Sequence, residues 1–394
     1  MSAVEITLTS EMQNRLGRIY EKMSEADAHA LLLSDNSNIY YVAGRVFRGY
    51  IFIAAGCDPL FFVISPNNIS GALVHNVRKP EMIPAILAEH GVALPSVLAL
   101  EVDDLSYSDI TRLSKAFGVD DIRNASAIMK EARAVKTPHE INLLKADGVR
   151  QAAAYARIPR IYKEDMTDVE FQIELERELR LEGCLGYYRT SGRSMEINLG
   201  TVLNGDNADA PTPYDFALGG GGADPSLPVG ADGRTMLPGT TVMVDMCGNF
   251  NGYQTDLTRV WSIGTVPASA LEMHDVSREI LHTLEREALP GVPVARLYEI
   301  AMDIVRAHNL EDYFMGRSQH APFIGHGVGI QLNELPVITP RSRHILQENM
   351  VLAIEPKFFV PGVGAVGLEN TYRVTASGLE CLTVAPEEIQ DITQ

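Results

Sequence analysis

The sequence predicts an α/β (α+β) protein of two domains, in which a smaller N-terminal domain precedes a larger one built around strands that end in acidic residues. Three observations predict it. The first third alternates short apolar runs with polar breaks, a helix-start signature interrupts that alternation at Thr137, and beyond it helices lead into apolar runs that each deliver a carboxylate or an imidazole. At 394 residues the chain is also too long for one ordinary core.

In the first domain, residues 1–136, the apolar runs 30–33, 40–43, 50–55, 60–64 and 97–100 read as strands, and 11–23 and 79–89 read as helices. The second domain, residues 137–394, opens on Thr137-Pro138-His139-Glu140, a capping box with proline at the first helical position, followed by Ile141, Leu144, Val149 and 152–154 at helical spacing. Thr167-Asp168-Val169-Glu170 repeats that signature, and Gly183 can close the second helix. Residues 191–239 are loop-rich. Within them Gly219 to Gly222 lacks the strand-to-helix setting and the following Lys and Ser or Thr of a phosphate cradle, so a mobile loop is expected. Residues 242–245 and 253–261 read as a hairpin joined by the turn formers at 248–252. Two helices, 268–288 and 294–308, then precede strands containing His326, Glu355 and Glu369. Helices followed by a carboxylate-bearing hairpin thus occur twice, which suggests two similar halves.

Composition excludes several function classes. With 46% hydrophobic and 21% charged residues the chain is that of a globular protein without a membrane span. The start, Met-Ser-Ala-Val-Glu-Ile-Thr, has no basic leader or apolar signal core, so a cytoplasmic protein is expected. The net charge of −18, from 33 basic and 51 acidic residues, opposes nucleic acid and anionic membrane surfaces as partners. Cys57, Cys184, Cys247 and Cys381 are far apart and fit free thiols better than a disulfide frame or zinc knuckle.

The chemistry lies in five residues. A hairpin turn centred between Phe250 and Asn251 sets Asp245 opposite Asp256, which points both carboxylates the same way. Asp245 ends the apolar run Thr-Val-Met-Val, and Glu355 ends Met-Val-Leu-Ala-Ile, so each carries a buried charge that must be paired or metal-bound. Glu369 follows the glycine-rich stretch 361–367, and His326 sits between glycines that admit close approach of other backbone or a substrate. Four carboxylates and one imidazole match two divalent metal ions, Mn²⁺, Co²⁺, Fe²⁺ or Zn²⁺. The oxygen-rich set suits the first three better than a structural zinc.

Val-Asp-Met-Cys-Gly, Thr-Asp-Leu-Thr-Arg, Gly-His-Gly-Val-Gly, Ile-Glu-Pro and Leu-Glu-Asn together resemble the five ligand motifs of the pita-bread metallopeptidases, the superfamily of methionine aminopeptidase, aminopeptidase P, prolidase and creatinase. The ligand spacings are most similar to those of prolidase-like Xaa-Pro peptidases, and Ala-Val-Lys-Thr-Pro-His-Glu resembles the family's domain junction. The resemblance implies a creatinase-like N-terminal domain, a pita-bread catalytic domain and a homodimer. It further implies that Asp245, Asp256, His326, Glu355 and Glu369 hold two ions with an activated water between them, that Glu355 shuttles a proton, and that Thr258 and Arg259 support Asp256. Two departures stand out. Asn333 occupies the place of a second histidine, and the stretch 207–214, which includes Tyr214, lacks the histidine expected on the substrate side. His320 either substitutes for it from the same strand face or plays a simple surface or core role. Arg45 and Arg48 either hold a substrate carboxylate or are solvated. The implied function is a metal-dependent Xaa-Pro peptidase of short peptides. The alternative is a non-peptidase enzyme on the same scaffold that cleaves a C–N or C–S bond in a small molecule. A non-catalytic binding protein is disfavoured by the five retained ligands.

Overall fold

A computed structural model describes residues 4–192 and 195–394, which fall into two units, Met1–Arg133 and Ala134–Gln394. The start of the leader stretch and two residues of the loop-rich span, 193 and 194, lie outside the described residues. No described helix is long and apolar enough to cross a membrane.

The N-terminal unit is a six-stranded mixed sheet in the order Val74–Asn76, Leu60–Ser65, Arg48–Ala54, Ala30–Leu33, Val97–Leu100, Asp121–Asn124. Ala30–Leu33 is buried along its whole length, antiparallel to Arg48–Ala54 and parallel to Val97–Leu100. One expected strand is a helix. Residues 40–43 belong to the helix Asn36–Ala43, because Asp35 caps its start by accepting from the Ser37 and Asn38 N–H groups and Gly44 closes it in the left-handed conformation.

In the C-terminal unit both capping boxes form, at Thr137 with Glu140 and at Thr167 with Glu170, and they launch the helices Pro138–Tyr155 and Asp168–Leu181. These lead into a four-stranded sheet ordered Gln390–Asp391, Thr255–Ser262, Thr241–Gly248, Gly200–Asn204. The helices Ala268–Glu287 and Val294–Ala307 lead into a five-stranded sheet ordered Glu334–Val337, Gly325–Gly327, Val351–Ile354, Asn370–Thr375, Gly378–Cys381. An isolated bridge between Thr258 and Glu369 joins one sheet to the other.

The glycine run at 219–222 is tied down. Gly219 O accepts from Gly230 N, Gly221 N donates to Asn207 Oδ1, and a Cβ at Gly219 would lie 2.3 Å from Thr212 Cγ2.

Candidate metal centre

The hairpin that carries both aspartates has a register different from the expected one. Asp245 pairs with Thr258, and Asp256 pairs with Cys247. The turn sits later because Asn249 Oδ1 accepts from Gly252 N, Asn251 Oδ1 accepts from Tyr253 N, and Asp147 holds the Phe250 N–H and the Asn251 amide. The shift is an even number of residues, so side-chain parity survives. Asp245, Cys247, Asp256 and Thr258 still share one face, with the two aspartates diagonal rather than opposed.

Each remaining ligand candidate enters from the second sheet. His326 lies mid-strand in Gly325–Gly327, between the strands Glu334–Val337 and Val351–Ile354. Its flanking glycines make this possible: a Cβ at Gly325 would meet Ala353 O at 2.2 Å, and one at Gly327 would meet Leu335 O at 2.1 Å. Glu355 directly follows Val351–Ile354, and Glu369 directly precedes Asn370–Thr375. Thr258 Oγ1 donates to Glu369 Oε2 at 2.7 Å, while Arg259 donates to the carbonyls of Thr258 and Glu369 and to Asn370 Oδ1. These two residues therefore brace Glu369 rather than Asp256. The Asp256 backbone is instead held by Thr371, whose Oγ1 accepts from Asp256 N and donates to Asp256 O.

The five side chains form two overlapping donor groups, Asp256 with His326 and Glu369, and Asp245 with Glu355 and Glu369, each with ligand atoms within 4.8 Å of one another. In the first group Asp256 Oδ1 and Glu369 Oε1 are buried without a hydrogen-bond partner. His326 Nδ1 lies 3.1 Å from Gly327 O. A carbonyl only accepts, so Nδ1 carries a proton, and Nε2 is turned inward, 3.8 Å from both Asp256 Oδ2 and Glu355 Oε1. Burial, and then the charges of Asp245 and Glu355, push Asp256 well above the usual carboxylate range. Burial and then Asp256 do the same to Glu369. Orphaned buried oxygens, an inward imidazole nitrogen and crowded carboxylates whose ionised forms disfavour one another are what a divalent cation satisfies, so this group fits one.

The second group already contains a cation. Lys357, fully buried, donates from Nζ to Glu355 Oε2 at 2.7 Å, Asp245 Oδ2 at 2.8 Å and Glu369 Oε2 at 3.3 Å. Burial alone would push this amine down, but the three carboxylates hold it well above its ordinary value.

The sequence profile of metallopeptidase family M24 matches residues 142–376, and that of the creatinase/prolidase N-terminal domain matches residues 15–135. The chain belongs to metallopeptidase family M24. Among relatives of this M24 protein, a Pyrococcus horikoshii Xaa-Pro dipeptidase is 25% identical over 388 residues, covering 96% of this chain and 99% of its own. A Pyrococcus furiosus Xaa-Pro dipeptidase is also 25% identical over 388 residues, covering 96% and 100%. The solved Xaa-Pro dipeptidase from Bacillus anthracis superposes with a TM-score of 0.78 at 22% identity, over 96% of this chain and 99% of that one. Its fold is therefore the family's own, a creatinase-type N-terminal domain followed by a pita-bread catalytic domain.

The other expected site residues of this M24 chain are distributed unevenly. A cavity beside the carboxylates is lined by Asp245, Asp256, His326, Glu355 and Asn333, together with Cys247, Asp215 and Phe216. Asn333 is not free within it: Nδ2 donates to Ser191 O at 2.9 Å and Oδ1 accepts from Ser191 N at 2.6 Å, so its amide clamps the loop at 191. His320 is not on the His326 strand face. It lies exposed ahead of that strand, its Nδ1 donating to Phe314 O, and lines an adjacent cavity with Tyr214, Asp215, Phe216 and Phe323. Tyr214 donates its hydroxyl to Glu196 at 2.9 Å. In the N-terminal unit Arg48 is exposed at the start of its strand, and Arg45 is half-buried with Nη1 unpartnered among the described residues. Sequence reasoning missed Lys357. The signal was present in Ile-Glu-Pro-Lys-Phe-Phe-Val, a single lysine inside an apolar run, where burial demands a partner.

Proposed function

We propose that this M24 protein is a metal-dependent Xaa-Pro peptidase of short peptides, working in the cytoplasm as a homodimer. The observation that carries the reading is the group of Asp256, His326 and Glu369, with two buried carboxylate oxygens left unpartnered and with Asp256 and His326 at the wall of a cavity. The names of the whole-length relatives supply the Xaa-Pro substrate class. A divalent cation, Mn²⁺, Co²⁺, Fe²⁺ or Zn²⁺, when bound by these residues, polarises the scissile carbonyl and lowers the pKa of water. Two ions are the family-based expectation, in which Asp245 would help hold one and His326 and Glu355 the other; Lys357 bears on that count.

Glu355 takes the proton shuttle role. One of its oxygens, Oε2, is fixed by Lys357, while Oε1 faces the His326 side, where it can accept a proton from the attacking water and pass it to the leaving nitrogen. Asn333 holds the 191 loop against the cavity. His320 and Tyr214 line the neighbouring space for the rest of the peptide, and Arg45 and Arg48 are the candidates for a substrate carboxylate.

A second reading, cleavage of a C–N or C–S bond in a small molecule, is favoured by one observation. The Asn333 amide is spent on Ser191 and supplies no positive charge to a tetrahedral intermediate. Proline release from a panel of Xaa-Pro dipeptides and longer peptides, with Mn²⁺- or Co²⁺-loaded protein, separates the two. The peptidase reading expects turnover that falls more than about 100-fold in Asp256→Ala, given that even outer-shell changes at metal sites cost 10- to 100-fold. Silence across the metal-replete panel would overturn it in favour of the small-molecule reading.

A further inference from the structure

We propose that the Lys357 ammonium is a built-in replacement for one of the two metal ions, so that each chain holds a single divalent ion at Asp256, His326 and Glu369. The proposal rests on the metal-dependent reading of the site but not on a peptide being the substrate.

Occupancy is the first reason. An ammonium has three hydrogens, and here the three acceptors are Asp245, Glu355 and Glu369, the same carboxylates that form the second donor group. A metal ion bound by these three would have to displace Nζ from all of them.

Confinement is the second. Lys357 has no exposed surface, and its strand, Lys357–Val360, is paired with Gly364–Gly367. The stem is enclosed as well: a Cβ at Gly367 would lie 2.8 Å from Lys357 Cα and 3.4 Å from its Cγ, so the partner strand is pared back to glycine where the lysine passes. Lys357 N also points at Met315 Sδ, 3.5 Å away. Moving the ammonium out would strip Asp245, Glu355 and Glu369 of the hydrogen bonds they accept from Nζ in a buried setting.

The donor atoms divide accordingly. Lys357 takes Oδ2 of Asp245 and Oε2 of both glutamates, and the unpartnered Asp256 Oδ1 and Glu369 Oε1 remain for the ion. Lys357 does not line the cavity, so it is a positioning residue that sets the ion count and fixes Glu355 and Glu369 from behind.

The test is ion content on the full-length protein, stripped with chelator and re-equilibrated with Mn²⁺. Elemental analysis gives the ions per chain, and electron paramagnetic resonance distinguishes isolated Mn²⁺ from exchange-coupled pairs. We expect one ion per chain with the isolated signature in the wild type, and a rise to two with the coupled signature in Lys357→Gly or Lys357→Ala. Two coupled ions in the wild type, or none, would overturn the proposal, as would a folded Lys357 variant that still takes one. If neither lysine variant folds, the wild-type count decides by itself, and Asp245→Asn adds a check: its ion count stays at one here but drops from two to one in a dinuclear site. A protein that holds one Mn²⁺ yet releases no proline defeats the peptidase reading and leaves this proposal standing. Proline release with two coupled ions does the reverse.

Discussion

Glu101 in the N-terminal unit and Glu369 in the catalytic unit are both buried carboxylates in sheet-based cores, yet their surroundings differ in kind. Glu101 is fully served by its own chain: Ser34 N, Ser34 Oγ and Asp35 N donate to Oε2, and Asn38 Nδ2 donates to Oε1. Glu369 receives Thr258 and Lys357 on Oε2 and nothing on Oε1. A buried carboxylate that ties a strand to a helix cap is given donors for every oxygen, because an unmet one costs stability. One kept for a ligand is left short. The difference teaches that the shortfall, more than burial itself, marks the site.

The largest effect is expected at a third buried carboxylate, Glu334, which lies in the catalytic unit but is fully matched, by Lys136 Nζ at 2.9 Å and Gln331 N at 3.1 Å. Lys136→Met keeps the stem and removes the charge that pairs with the buried Glu334 at 2.9 Å. Unfolding in urea should show a loss of about 3–5 kcal/mol, the usual consequence of breaking a buried pair from one side. A loss below about 1 kcal/mol would mean that matched carboxylates in this unit are not structural and would erase the distinction from Glu369.

Glu101 sharpens the same contrast through pH. Burial pushes its carboxyl up to about 7, with the Asn38 hydrogen bond pulling the other way. Because the folded value lies above the ordinary 4.5, the folded state keeps a proton that the unfolded chain has lost between those two pH values. Stability from this group is therefore highest below the unfolded value and falls as pH rises toward 7, by about 3 kcal/mol in all. Glu101→Gln should flatten that part of the stability profile, measured by denaturant unfolding at a series of pH values. An unchanged slope would assign the pH dependence to other groups, such as Asp147, which burial also pushes up to about 7.

These residues also show how far the sequence could be read. Capping boxes, apolar runs and carboxylate-ended strands made the order of elements and the five ligand candidates legible, since each is a local pattern with a local cause. The helix Asn36–Ala43 was misread as a strand because Asp35, a cap three residues upstream of Asn38, outweighs the β-branched and aromatic run that follows it. The hairpin register escaped because Asp147, far away in sequence, decides where the turn closes. Lys357 escaped for a different reason. A ligand motif points to carboxylates that need a cation and is silent on a buried cation that already has carboxylates.

The smallest expected effect lies at Thr258, whose hydroxyl is a neutral donor to the Glu369 carboxylate. Its hydroxyl fixes Oε2, which keeps the unpartnered Oε1 aimed at the space shared with Asp256 and His326. Thr258→Val preserves the shape of the side chain and removes only that hydrogen bond, so the carboxylate gains freedom to rotate before an ion arrives. Mn²⁺ affinity, measured by calorimetric titration, should weaken about tenfold, the lower end of what outer-shell partners contribute. Thermal unfolding of the ion-free protein should shift little, because Glu369 lies in a site already short of donors. An unchanged affinity would mean that Lys357, 3.3 Å away on the same oxygen, orients Glu369 without help. In that case the buried ammonium alone aims Glu369, and the contrast with Glu101 narrows to the kind of donor: backbone N–H groups with the Ser34 and Asn38 side chains for one carboxylate, a single lysine for the other.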